Sequence, residues 1–185
     1  TARPLPHSSA DILDALPDNK RLILVTAHRR ENFGAPLQRI IASLLELADR
    51  DDVHIVYPVH PNPSVDVPVH KALGGCGNIS LLPPLDYLTF AHLMKRSHVI
   101  LTDSGGIQEE APGLGVPVLV LRDVTERPEG IDAGTAALVG VETEKIVAAT
   151  TRLLDNEDAR LEMVKSVNPF GDGHAARKIV EIMLR

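Results

Sequence analysis

Residues 99–112 constrain the fold most. An apolar run, Val99-Ile100-Leu101, passes through Thr102-Asp103-Ser104-Gly105-Gly106 into an amphipathic segment, Ile107-Gln108-Glu109-Glu110-Ala111, that ends at Pro112. Apolar side chains at successive positions leave a strand no solvent face. Such a strand belongs in a parallel sheet covered on both sides by helices. The spacing predicts a helix opening near Gly106 with Ser104 as its N-cap. Gly105 and Gly106 carry no Cβ, so a ligand oxygen can reach the backbone. There the unpaired N–H groups of a first helical turn and the helix dipole attract an anion such as phosphate. A plainer reading stays open beside this one: a Ser-capped connection whose glycines only tighten the turn.

The rest of the chain repeats that alternation. Strands are predicted over 21–27, 54–59, 79–82, 118–121 and 136–139 as well as 99–101. Helices are predicted over 11–16 (behind Ser8 or Ser9 and stopped by Pro17), over 36–50, over 68–73 with Pro68 in the first turn, and over 86–95 capped by Asp86. Residues 142–185 read as helical with a break at 168–173. Leu37, Ile40, Ile41, Leu44, Leu45 and Ala48 fall on one face of the 36–50 segment, as a helix covering a sheet requires. Strands alternating with helices, joined by right-handed crossovers, give an α/β fold with a doubly wound parallel sheet.

At 185 residues and 44% hydrophobic composition the chain can bury a sizeable core. One domain over 1–185 is expected, because no repeat, low-complexity stretch or interior linker is present. The net charge of −6 argues against nucleic acid or an anionic membrane as partner, so any anion site must be local. No apolar run is long enough to span a bilayer. Cys76 is the single cysteine, which leaves no internal disulfide and fits a reducing, cytoplasmic setting. The eight histidines show no metal-ligand spacing, and no metal or cofactor is expected. The chain begins Thr1-Ala2-Arg3-Pro4, without Met, like a piece cut from a longer protein.

Ligands of doubly wound sheets bind at the carboxyl ends of the strands, and the unusual residues of this chain cluster in those loops. They are Thr26-Ala27-His28-Arg29-Arg30-Glu31-Asn32, the Thr102–Pro112 stretch described above, and Thr125-Glu126-Arg127-Pro128-Glu129; Asn168-Pro169-Phe170-Gly171-Asp172-Gly173 follows near the end. In this order they resemble the C-terminal half of the non-hydrolysing UDP-N-acetylglucosamine 2-epimerases. In that family two Rossmann-like domains face each other across a cleft, the GT-B layout, and the second holds most of the nucleotide.

The resemblance implies that Ser104, Gly105 and Gly106 cradle the diphosphate and that Glu110 accepts hydrogen bonds from the ribose hydroxyls. It implies that His28 and Arg127 contact the diphosphate, with His28 stabilising the leaving group. Phe90 would pack on the uracil, with Leu85 supplying main-chain contacts. Each has a structural alternative. Glu109 and Glu110 can complement the dipole of a first helical turn, Phe90 can be an ordinary core residue, and Arg29 and Arg122 read as ion-pair partners. His60 and one of Arg29 or Arg30 match positions of a second, activating UDP-sugar site in some members. The implied reaction inverts C2 of UDP-N-acetylglucosamine by eliminating and re-adding UDP. The acid/base carboxylates of that reaction lie in the half missing here, so the chain alone is expected to be inactive and the full-length enzyme to be a homodimer. A UDP-sugar binding module and the nucleotide-binding domain of a GT-B glycosyltransferase are the competing readings.

Overall fold

The apolar runs pair into one six-stranded sheet, all parallel, in the order β3-β2-β1-β4-β5-β6. The strands are β1 (Arg21–Thr26), β2 (Val53–Pro58), β3 (Ile79–Leu82), β4 (Val99–Thr102), β5 (Val118–Val120) and β6 (Ala136–Leu138). The structure, a computed structural model, describes residues 7–184; the expectations for Thr1 to Pro6 lie outside the described residues, and the first helix opens at His7, so Ser8 and Ser9 lie within it and not ahead of it as caps. The alternation predicts a doubly wound parallel sheet; the strand order, which alternation leaves open, is the Rossmann one.

Helices cover both faces. Ile23 and Val25 of β1 point to one side, where Leu37, Ile40 and Leu44 of α2 (Ala35–Ala48), Val65 and Val69 of α3 (Pro63–Leu73) and Ile146 and Leu153 of α7 (Thr143–Asp155) close over them. Leu22 and Leu24 point to the other side, against Leu13 of α1 (His7–Asp14), Leu93 and Met94 of α4 (Tyr87–Arg96) and Ile107 of α5 (Gly105–Glu110). Alternate residues of one strand thus feed two cores, which is why the strand sequences are apolar throughout.

Several elements differ from the sequence expectation. α3 opens at Pro63, where Asn62 Oδ1 accepts a bond from Ser64 N–H, so Pro63 and not Pro68 is the first-turn proline. Pro68 sits inside that helix. The carbonyl it leaves without a donor belongs to Ser64, which is exposed to water. A five-residue helix, α6 (Pro128–Asp132), follows β5 and was not expected, being too short to show a period. The C-terminal helical region divides at Asn156, whose side chain caps α8 (Glu157–Lys165) through Ala159 N–H, before the expected break and α9 (Ala175–Met183).

The strand order reverses between β1 and β4. Thr26 and Thr102 are register partners at their ends, and their hydroxyls share a 2.6 Å hydrogen bond. The loops that follow therefore open side by side, at the position where doubly wound sheets hold ligands.

Candidate functional site

Asp103, fully buried, ties these two loops together. Its Oδ2 accepts hydrogen bonds from His28 N–H and Arg29 N–H at 2.8 Å and from Asn32 Nδ2 at 2.9 Å. Asn32 also donates to the Leu121 carbonyl, which anchors the end of β5. Tyr57 of β2, wholly buried, donates to the Ala27 carbonyl and fixes the loop from below. Burial, with the Asp103 charge second, pushes its phenol up.

Ser104 occupies the N-cap position of α5, but its side chain caps nothing. Instead Ser104 N–H donates to Thr102 Oγ1 at 2.9 Å, and the Ser104 carbonyl takes the side-chain amide of buried Gln108. The expected cap is corrected on this point: the preceding threonine shapes the turn, and the Ser104 hydroxyl is not engaged in it. α5 ends at Glu110, so Glu109 and Glu110 lie in its last turn, not its first. A carboxylate gains nothing from the dipole there, and the dipole reading of both residues is overturned.

Their partners explain them. Arg127 Nε donates to Glu109, and Glu110 Oε2 accepts from the Tyr87 hydroxyl at 2.9 Å. A methyl placed on Gly105 would lie 3.8 Å from the Arg29 guanidinium and 4.0 Å from that of Arg127, whereas one on Gly106 would lie 4.0 Å from Glu110. The turn therefore presents bare backbone between two cations at its first glycine and beside a carboxylate at its second. Arg29, expected as a structural ion-pair partner, faces this turn instead. Arg122 does have the expected structural role: only 6% exposed, it bonds Glu31 and both carboxylate oxygens of Glu126. That contact holds the Glu126 carboxyl at about 2.

His28 lines a cavity of about 360 Å³ with His60, Leu85, Phe90 and Ile107. Phe90 is half-buried, packed on the core yet open to this cavity, so its two readings are compatible. His60 stacks on His28, ring centres 5.3 Å apart, and so shares the cavity with the residue from which the sequence reading separated it. Burial lowers the His28 pKa, His60 and Arg29 lower it further, and the Asp103 carboxylate opposes them. A larger cavity, about 540 Å³, lies under α7 between Arg122, Lys145 and Arg152, away from the Gly105-Gly106 turn.

Sequence reasoning assigned no role to Asp103, Asn32, Gln108, Thr125 or Tyr87. Gln108 Oε1 accepts the Thr125 hydroxyl, which in turn accepts Arg127 N–H, so a buried amide sets the loop that carries the arginine. One signal was available: an aspartate next to a predicted anion site is electrostatically misplaced unless the backbone uses it. Among the described residues no cluster of His, Cys, Asp or Glu is placed to hold a metal ion, and no helix is long and apolar enough to cross a membrane.

The fold and this turn define a doubly wound α/β domain with a polar loop cluster at its topological switch point, where such sheets hold ligands. The chain belongs to the UDP-N-acetylglucosamine 2-epimerase family, whose profile matches residues 4–184. It is 54% identical over 169 residues to the UDP-N-acetylglucosamine 2-epimerase of Yersinia pestis, covering 91% of this chain and 45% of that protein. Its structure superposes on the UDP-GlcNAc 2-epimerase of Neisseria meningitidis bound to UDP-GlcNAc with a TM-score of 0.89, at 47% identity, over 96% of this chain and 48% of that one. The S. aureus MnaA–UDP structure gives 0.87 at 43% identity, over 97% and 48%. The chain thus spans about half the length of the relatives it matches.

Proposed function

We propose that this chain is the UDP-binding half of an enzyme that interconverts UDP-N-acetylglucosamine and UDP-N-acetylmannosamine. The observation that carries the proposal is the Gly105-Gly106 turn, held open between Arg29 and Arg127 and bordered by Glu110. The turn and its cations suit a diphosphate, because guanidinium forks donate pairs of bonds to phosphate oxygens. A carboxylate one residue further on suits ribose hydroxyls, which donate to it. Leu85 and Phe90 provide an apolar wall for uracil beside His28.

In the reaction a base removes the C2 proton while the C1–O bond breaks and its electron pair leaves with UDP, giving a glycal. UDP then adds back and C2 takes its proton from the other face. His28, Arg127, Ser104 and the glycine N–H groups would stabilise the departing diphosphate. The proton-transferring carboxylates belong to the remainder of the protein, in line with the half-length match to the relatives. Ile179, Val180, Ile182 and Met183 of α9 are all more than half exposed, and that remainder would cover them. Cytoplasmic residence and a homodimeric full-length enzyme are parts of the same proposal.

The test is solvent exchange. The isolated chain should show UDP contacts in saturation-transfer NMR without magnesium, yet exchange no deuterium into C2 of UDP-N-acetylglucosamine. Exchange catalysed by the chain itself would overturn the division of labour.

A further inference from the structure

Asp103 places a buried negative charge directly under the proposed anion site, where it opposes the ligand. Anchoring the loops uses only one of its two oxygens: Oδ2 alone takes all three donors. The second oxygen, Oδ1, is buried and makes no hydrogen bond. Its neighbour is His28 Nδ1, 3.6 Å away. The geometry points to Asp103 as a positioning residue for His28: Oδ1 keeps the imidazole proton on Nδ1, which leaves Nε2 to face the cavity and take up a proton as a diphosphate arrives.

An ionised carboxylate only accepts, so the ring nitrogen turned toward it must carry hydrogen. At 3.6 Å the contact is longer than a hydrogen bond, and the buried carboxylate acts on the ring electrostatically, favouring hydrogen on the nitrogen that faces it. His60, from the loop after β2, stacks on the ring and resists its flipping, and Arg29 lies on its own loop. From α4, α5 and the loop before α4 the cavity receives only the apolar Leu85, Phe90 and Ile107 beside Pro84. Asp103 is therefore the group that raises the pKa of a ring that burial, His60 and Arg29 lower. The consequence for diphosphate binding rests on the function proposed above, but the tautomer does not.

The test is 15N NMR of the chain labelled at histidine, without nucleotide, with His28→Gln identifying the His28 signals. The expected ring is neutral with hydrogen on Nδ1 and bare Nε2. In Asp103→Asn the amide NH2 faces Nδ1, so the hydrogen should move to Nε2 and the ring should charge only at lower pH. Hydrogen on Nε2 in the unsubstituted chain overturns the proposal, as does an unchanged tautomer in a folded Asp103→Asn. If that variant does not fold, the tautomer of the unsubstituted chain decides alone. A second arm adds UDP in buffers of different ionisation heat, and proton uptake is expected. Absence of UDP binding would overturn the site reading and leave the tautomer result standing, whereas binding without uptake would overturn the proton-uptake step.

Discussion

Arg127 and Glu109 are both about two-fifths exposed, and their ion pair has a different meaning depending on whether the turn binds phosphate. If the pair only holds its loop, removing either partner should act in the same direction. If phosphate is the intended partner of Arg127, the two substitutions should have opposite effects. Arg127→Ala should weaken UDP binding by about tenfold, or ~1.4 kcal/mol. Glu109→Gln, which removes a repelling charge and frees the guanidinium, should strengthen binding by about threefold, the scale of an exposed charge interaction. Titrations on both variants check this, and weakening in both would return the pair to scaffolding. The Ser-Gly-Gly turn was legible in the sequence as a tight strand-to-helix connection, because small residues stand between an apolar strand and an amphipathic helix. Asp103 was not, because its role depends on a loop seventy-odd residues earlier in the chain that only the β1–β4 pairing brings near.

At the scale of elements, α4 carries Tyr87 and Phe90 to the site, and its direction is set at one cap. Asp86 Oδ1 accepts from Leu88 N–H and Thr89 N–H, as the sequence predicts from an aspartate ahead of an amphipathic run. Asp86→Ala should cost about 1 kcal/mol of stability, measured by urea unfolding. It should also weaken UDP binding, because the frayed turn holds Tyr87 and its bond to Glu110. A variant that loses stability and keeps full affinity would detach α4 from the site. The long elements were legible because their apolar faces repeat over several turns. α6 and the start of α3 were not, since one has only five residues and the other was masked by a second proline, Pro68, that looked like a better first turn.

At the scale of the whole molecule, three histidines among the described residues are held below their ordinary pKa, and in each the largest cause is burial: His28 at the site, His54 on β2 and His98 just ahead of β4. The unfolded chain therefore binds more protons than the folded one once pH drops below the usual histidine value of about 6.5. Stability from these groups is fully present above that value and is lost as pH falls through the window beneath it. The depressed carboxylates Asp52, Glu126 and Asp172, at about 2, matter only below about pH 4. The melting temperature should thus fall between pH 7 and pH 5, and the fall should be smaller in His54→Gln/His98→Gln; equal slopes would assign it elsewhere. The doubly wound parallel class was readable from alternation alone, whereas the strand order was not, and the sharing of one cavity by His28 and His60 depended on how the loops after β1 and β2 converge. The central claim, that the Gly105-Gly106 turn holds a nucleoside diphosphate, is tested most directly by magnesium-free calorimetry of this chain and of Gly105→Ala. Nothing in the fold forbids a methyl at Gly105, whose nearest neighbours would be at ordinary contact distance. The variant should therefore melt with the unsubstituted chain while losing at least about tenfold in UDP affinity, ~1.4 kcal/mol, and the unsubstituted chain should bind UDP more tightly than NAD. Tighter binding of NAD, or an equally stable Gly105→Ala that binds UDP as well as before, would contradict the account.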